Sequence, residues 1–198
     1  TLSEKSKFLG LRNRGSIKKI RNYLNNKNKT NNRIELQYCP TTLISKFKNL
    51  YPSVIKQKES KKKILSLNAA FDRKEMRFHS ADKKYKELSK VIKFAQNSNW
   101  KIVVCSHKDS DKEIEDFLEQ EEISFSSADL TRSSPKEIIN HYAEIDLSLG
   151  MRKHSQMIAF GLNKPIFSLI SHDEVEFFLK DIGYEEYGTD MGNSNFTD

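Results

Sequence analysis

Cysteine is scarce in this sequence. Cys39 and Cys105 are the two thiols among 198 residues. Two thiols this far apart give neither a disulfide framework nor a zinc ligand set, and they point to a reducing compartment. Glycine (7) and proline (4) are also few, which excludes collagen-like and low-complexity architectures. No apolar run approaches the ~20 residues of a membrane span. The first apolar group, Phe8-Leu9-Gly10-Leu11, is too short for a signal peptide, so none is expected. The sequence starts without Met and in mid-pattern, as expected of a piece of something longer.

Acidic residues are nearly missing from the first third. Residues 1–63 hold 17 Lys/Arg against 3 Asp/Glu, a net +14; residues 64–198 hold 17 against 24, a net −7. A surface this basic suits an anionic partner. The basic part has no zinc-finger spacing and no interleaved aromatics for stacking bases, so nucleic acid is not expected. Peripheral contact with an anionic membrane is the stronger reading. The plain alternative is a solvated Lys/Asn-rich face. Also missing are Gly-x-Gly-x-x-Gly, a Walker-type Gly-Lys-Ser, Gly-x-Ser-x-Gly and His-Glu-x-x-His. The acidic runs around Glu113 and Glu119 read as a solvated helix face, and Cys105, in an apolar strand, as core.

What is present is an alternation of strand and helix patterns. From residue 63 onward, strand-like runs at 63–67, 100–105, 124–128, 146–149 and 166–170 alternate with helical stretches at 81–96, 111–120, 134–143, 155–162 and 173–182. Ser134-Pro135 followed by Glu137 marks a capped helix start. Asp173 reads as an N-cap and Gly183 as a left-handed stop. The pattern predicts an α/β domain: a parallel sheet with helices on both faces and right-handed crossovers. Ahead of it, residues 7–12 and 33–37 read as strands, and a helix runs from Gly15-Ser16 to Leu24 with Ser16 as N-cap. The turn Cys39-Pro40-Thr41-Thr42 leads to a helix near 43–50, residues 52–62 read as a linker, and no element is predicted after Gly183.

Chemistry in such a sheet lies outside the carboxyl ends of its strands. The turns that begin at Asn68, Ser106, Gly150 and Ser171 carry the polar residues. His107, His154 and His172 each follow a strand. One such histidine is most simply a cap or a surface residue; three at equivalent places are harder to dismiss. In Gly150-Met151-Arg152-Lys153-His154, Arg152 offers a planar fork for carboxylate or phosphate. His154 enters the first turn of the next helix, where free N–H groups favour an anion. The arrangement suits an anionic ligand with His154 available for proton transfer. The plain alternative, a surface ion pair and a helix-start histidine, stands beside it on equal terms.

The run from Asp146 through Gly150-Met151-Arg152-Lys153-His154 to Gly161 and Pro165 resembles the hallmark of the polysaccharide pyruvyl transferase family: a strand, Gly-Met-Arg-x-His, an apolar helix, then Gly-x-x-x-Pro and another strand. The sequel Ser171-His172-Asp173-Glu174 is similar too. Upstream, Arg12-Asn13-Arg14-Gly15-Ser16 resembles the family's Arg-Asp-x-x-Ser element, Cys39-Pro40-Thr41-Thr42 its Cys-Pro-Thr-Thr turn, and His107 with Asp111 its His-x-x-x-Asp turn. The sequence departs from the pattern in three places. Asn13 stands where Asp is frequent, Lys153 replaces a commonly small or apolar residue, and Glu174 lies where many members carry Lys.

The resemblance implies two Rossmann-like domains facing across a cleft, as in GT-B glycosyltransferases. Residues 1–62 would be the end of the first domain with an interdomain segment and linker, and residues 63–198 the C-terminal domain. It implies transfer of a pyruvyl group from phosphoenolpyruvate to sugar hydroxyls of a surface polysaccharide or its lipid-linked precursor. The reaction would be cytoplasmic, with peripheral contact at the inner face of the membrane, and would need neither cofactor nor metal. His154 is the catalytic candidate. Arg152, Arg12, Ser16, His107, Ser171 and His172 are the candidates for binding substrate. A GT-B-type glycosyltransferase using a nucleotide-sugar is the alternative enzyme, and a non-catalytic basic binding module on residues 1–63 is a third reading.

Overall fold

A computed structural model describes residues 6–29, 33–50, 62–70 and 81–193. The expected linker lies outside them except for Lys62, as do residues 71–73 of the turn after Asn68. The chain opens with β1 (Phe8–Leu11), α1 (Arg14–Asn25) and β2 (Arg33–Leu36). β1 and β2 pair in parallel as a separate two-stranded sheet. Ile17, Leu24 and Ile34 are buried between that sheet and α1.

The larger body alternates β3 (Lys63–Asn68), α2 (Ala81–Asn97), β4 (Trp100–Ser106), α3 (Glu113–Gln120), β5 (Ser126–Asp129), α4 (Pro135–Glu144), β6 (Leu147–Gly150), α5 (Lys153–Gly161), β7 (Ile166–Ile170), α6 (Asp173–Ile182) and β8 (Gly188–Asp190). All six strands are parallel, in the order β5-β4-β3-β6-β7-β8. The two-residue period of a strand sends neighbouring side chains to opposite faces. Leu65, Leu67, Ile102 and Val104 pack against Leu88 and Ile92 of α2 and Ile114 and Leu118 of α3. Cys105 and Ile166 face the other way, against Tyr142 of α4, Met157 and Ile158 of α5 and Phe178 of α6. The expected Rossmann-like sheet with helices on both faces is therefore observed. The strand order reverses between β3 and β6, and ligands of open α/β sheets bind at such a switch point.

The Ser134–Glu137 capping box forms, and Gly183 ends α6 at φ 72°. Other boundaries differ. Asn13, not Ser16, caps α1: its Oδ1 accepts from Ser16 N at 2.7 Å, and the helix starts at Arg14. His172 holds the extended cap position of α6, with Asp173 already inside the helix. Residues 109–112 form a 3-10 turn ahead of α3, and Pro40–Leu50 is 3-10 with a break at Phe47 instead of a regular helix. β5 begins at Ser126, two residues later than its pattern. β8 was not expected. Its three residues, Gly-Thr-Asp, carry no strand signature, and pairing with β7 holds them at the sheet edge. Among the described residues, no helix is long and apolar enough to cross a membrane.

Candidate functional site

A cleft of about 500 Å³ opens outside the carboxyl ends of β3, β4, β6 and β7. Its floor is built around Asp111, whose side chain is fully buried. The carboxylate accepts from the backbone N–H of His107 (3.0 Å) and of Lys108 (3.2 Å), and from Asn68 Nδ2 (3.2 Å). Arg152 donates Nε to both of its oxygens (3.0 and 2.9 Å) and Nη2 to Oδ1. Asn68 completes the frame: its Oδ1 accepts from Arg152 N at 3.1 Å, and its Nδ2 donates to the Cys105 carbonyl at 2.9 Å. The ends of β3, β4 and β6 are thus tied through one carboxylate and one amide. A fork paired with a carboxylate in this geometry is among the strong charge-assisted bonds, and burial shields it from salt.

Behind the floor, α5 is anchored by Gln156, which is fully buried. Its amide satisfies both neighbouring strands when Oε1 accepts from Gly150 N and Ser148 Oγ and Nε2 donates to Phe167 O and Ser168 Oγ, all at 3.1–3.2 Å. This fixes the helix start that presents Arg152, Lys153 and His154.

The rim comes from the N-terminal unit. α1 crosses α6 so closely that a Cβ on Gly15 would overlap the Phe177 ring. Arg14 N donates to Asp181 Oδ2 at 3.0 Å, and Lys19 pairs with Asp173. The Cys39-Pro40-Thr41-Thr42 turn docks on the end of α5, where a Cβ on Gly161 would overlap the Thr41 carbonyl. These contacts carry Arg12 to the cleft, with Nη1 3.4 Å from His154 Nε2. The Arg12 guanidinium also acts on the Cys39 thiol, whose pKa lies below the usual thiol value. Burial opposes that shift; hydrogen bonds from Thr41 and Arg12 outweigh it.

The electrostatics favour neutral imidazoles in an anion-seeking cleft. Burial lowers the pKa of His154, helped by the positive charges of Arg12 and Lys153 and opposed by Glu174. Burial also pushes His107 down to about 4; Asp111 works against the shift, and Arg152 and His154 add to it. Among the described residues that line the cleft, Glu174 alone is acidic, facing Arg12, Lys108, Arg152 and Lys153.

Residues 1–174 match the family model described as polysaccharide pyruvyl transferase. The chain belongs to this family. No curated protein matches it significantly. Among solved structures it is similar to a glycosyl transferase family 9 protein from Veillonella parvula DSM 2008, at 12% identity and a TM-score of 0.44, over 76% of this chain and 41% of that one. It is also similar to the wall teichoic acid polymerase TagF, at 16% identity and a TM-score of 0.42, over 84% of this chain and 40% of that one. The chain spans about two fifths of the length of either structure.

As a polysaccharide pyruvyl transferase family member, the chain brings most of its expected site residues together. Arg12, His107, Arg152, His154 and His172 all line the one cleft. Ser16 and Ser171 do not. Ser16 is engaged through its backbone at the α1 cap. The Ser171 hydroxyl is buried and, among the described residues, has no hydrogen-bond partner. Sequence reasoning left Asp111 and Asn68 out of the site, although the His-x-x-x-Asp spacing and the end of β3 marked both. The departures at Lys153 and Glu174 turn out to be one feature: the buried Lys153 ammonium is ion-paired with Glu174, whose side chain is 54% exposed. A cation is thus kept at this corner of the cleft but supplied by α5, not α6. Among the described residues, no group of three or more His, Cys, Asp or Glu is placed to hold a metal.

Proposed function

We propose that this protein transfers the pyruvyl group of phosphoenolpyruvate to a pair of sugar hydroxyls on a surface polysaccharide or its lipid-linked precursor, giving a pyruvate ketal. The observation that carries the reading is the meeting of Arg12 from the N-terminal unit with His154 at the start of α5, 3.4 Å apart across the cleft. The donor is a small dense anion carrying a phosphate and a carboxylate. The cleft offers it the Arg12 guanidinium, Lys108 and Lys153, the neutral imidazole of His107, and that of His154 at the N-terminus of α5.

In the reaction the donor methylene gains a proton and becomes a methyl group. Two acceptor oxygens bond to the central carbon, and its bond to the phosphate oxygen breaks. The two hydroxyls release two protons: one balances the new methyl group and the other leaves with inorganic phosphate. His154 is the group for this traffic. At rest its Nε2 lone pair faces the Arg12 N–H. A phosphate that recruits Arg12 takes that N–H and leaves Nε2 able to receive a proton, while the added negative charge raises its basicity. Arg152, tied to Asp111, holds the floor and adds positive field.

Residues 1–62 are read as the end of a first domain that completes the cleft, with residues 63–198 as the C-terminal domain. The exposed basic residues Lys18, Arg21, Lys27 and Lys29 suit contact with the anionic inner face of the cytoplasmic membrane, where a lipid-linked acceptor would lie. The deciding experiment supplies the full-length protein with a glycan acceptor and follows donor consumption. Phosphate release from phosphoenolpyruvate with a new ketal methyl signal on the glycan supports the proposal. Nucleotide release from a nucleotide-sugar, with phosphoenolpyruvate untouched, replaces it with glycosyl transfer.

A further inference from the structure

His107 leaves β4 two residues after the buried Cys105 and reaches the cleft with one ring nitrogen already engaged. Its Nε2 lies 2.6 Å from the Tyr142 hydroxyl of α4, and the two rings stack at 5.8 Å with 18° between their planes. Tyr142 is wholly buried, and its oxygen is also 3.3 Å from Cys105 Sγ. His141 packs edge-on against Tyr142 and is itself held by Ser66, 2.9 Å from Nε2 to Oγ. Burial keeps both of His107's inner neighbours protonated: the phenol is raised well above its ordinary value and the thiol is pushed up to about 11. At 2.6 Å the imidazole nitrogen is the near strong acceptor for the phenol; the sulfur at 3.3 Å is a weak one, and the Ser155 hydroxyl, which also acts on the phenol, gives its own hydrogen to the Arg152 carbonyl. The hydrogen bond therefore runs from Tyr142 O–H to His107 Nε2. A neutral imidazole that accepts at Nε2 carries its hydrogen at Nδ1.

We propose that Tyr142 is a positioning residue that locks His107 as the neutral Nδ1–H tautomer, making His107 a fixed hydrogen-bond donor to an anion in the cleft and excluding it from proton transfer. Two of the three cleft histidines, His107 and His154, then divide the work. His154, beside Arg12, keeps a lone pair for a proton; His107 has spent its own on Tyr142. The groups that face His107 are Asp111 from the turn after β4, Arg152 and His154 from the start of α5, and His141 and Tyr142 from α4. Asp111 is the acidic one among these, and its oxygens are engaged by Arg152, Asn68 and two backbone N–H groups. The donor role rests on the reading of the cleft as an anion site. The tautomer lock does not.

The test is long-range 1H–15N spectroscopy on protein labelled at histidine, from pH 5 to pH 8, combined with titration of inorganic phosphate. His107 is expected as the Nδ1–H tautomer without protonation across this range. Tyr142→Phe removes one oxygen from a buried ring. In that variant, once its melting curve shows it folded, the Nε2–H form of His107 should appear, and phosphate should bind about tenfold more weakly, the worth of one hydrogen bond to a charged group. Cys105→Ser should leave the tautomer as it is. A wild-type His107 carrying Nε2–H, or titrating near 6.5, overturns the lock, as does an unchanged tautomer in folded Tyr142→Phe. If the lock is present and phosphate does not bind, the donor role and the anion reading fail while the lock stands.

Discussion

The floor of the cleft and its rim both present an arginine, and they use it in opposite ways. Arg152 is largely buried, its fork filled by a carboxylate that also gathers an amide and two backbone N–H groups. Arg12 is exposed, and its guanidinium meets a histidine at 3.4 Å. An arginine tied this tightly gives shape and field. An arginine held this loosely can be recruited by a ligand. Residue type and local motif thus mark a site, whereas its division of labour depends on distant partners. Arg152 reads as an anion clamp until Asp111, 41 residues earlier, is seen to occupy it.

Breaking the floor should have the largest effect. Asp111→Ala strips the Arg152 guanidinium of its buried carboxylate and is expected to cost about 3–5 kcal/mol of stability, measured by urea unfolding. A loss below ~1 kcal/mol would show that the floor is not the rigid half. Breaking the rim should leave stability within about 0.5 kcal/mol. Arg12→Ala is instead expected to weaken phosphoenolpyruvate binding by about 1.5–3 kcal/mol, the range for hydrogen bonds to charged groups, measured by calorimetry. A large drop in melting temperature without loss of binding would reverse the assignment of floor and rim.

A smaller effect is expected at the corner where floor and rim meet. Lys153 holds the Glu174 carboxyl below its ordinary pKa. The stability this pair contributes is therefore present above the unfolded carboxylate pKa and lost as pH falls through the depressed folded value. Glu174→Gln should lower the melting temperature at pH 7, and the gap to wild type should shrink as the pH falls below the ordinary carboxylate range. The cost should be about 1 kcal/mol or less, because more than half of the Glu174 side chain is in water. A gap between the two that does not shrink with acid would assign the effect to packing instead of charge.

The sheet was legible in the sequence because its central strands are apolar, its helices are periodic, and Ser134, Glu137 and Gly183 punctuate them by known backbone chemistry. β8 was not, because an edge strand of three polar residues is made by its neighbour and not by its own side chains. The cap at Asn13 was missed for a related reason: Asn13 and Ser16 are both good caps, and the docking of α1 on α6 selects between them. In the site, the cleft-lining histidines and arginines showed themselves by following strands. Asp111 and Asn68 were marked by a motif and a strand end but not as parts of the site, and Tyr142 was not marked at all, since a buried polar residue differs from an exposed one only through the partners that tertiary packing supplies. The Lys153–Glu174 pair was visible as two separate departures, 21 residues apart, and became one feature only when α5 and α6 were seen side by side.

The most direct measurement of the claim that His154, beside the rim arginine, carries the proton is proton uptake on binding phosphoenolpyruvate. Calorimetric titrations at pH 6.5 and 7.5 in two buffers of different ionisation enthalpy give the number of protons taken up. His154 rests with its pKa lowered by burial and by the Arg12 and Lys153 charges. An arriving anion reverses part of that shift, so the imidazole should take up a proton in the wild-type protein. Subtracting the same titration of His154→Gln removes the ligand's own ionisation. The expected result is an uptake in wild type that exceeds the variant's by a measurable fraction of one proton per site. Equal uptake in the two proteins, with phosphoenolpyruvate bound by both, would contradict the assignment of proton transfer to His154.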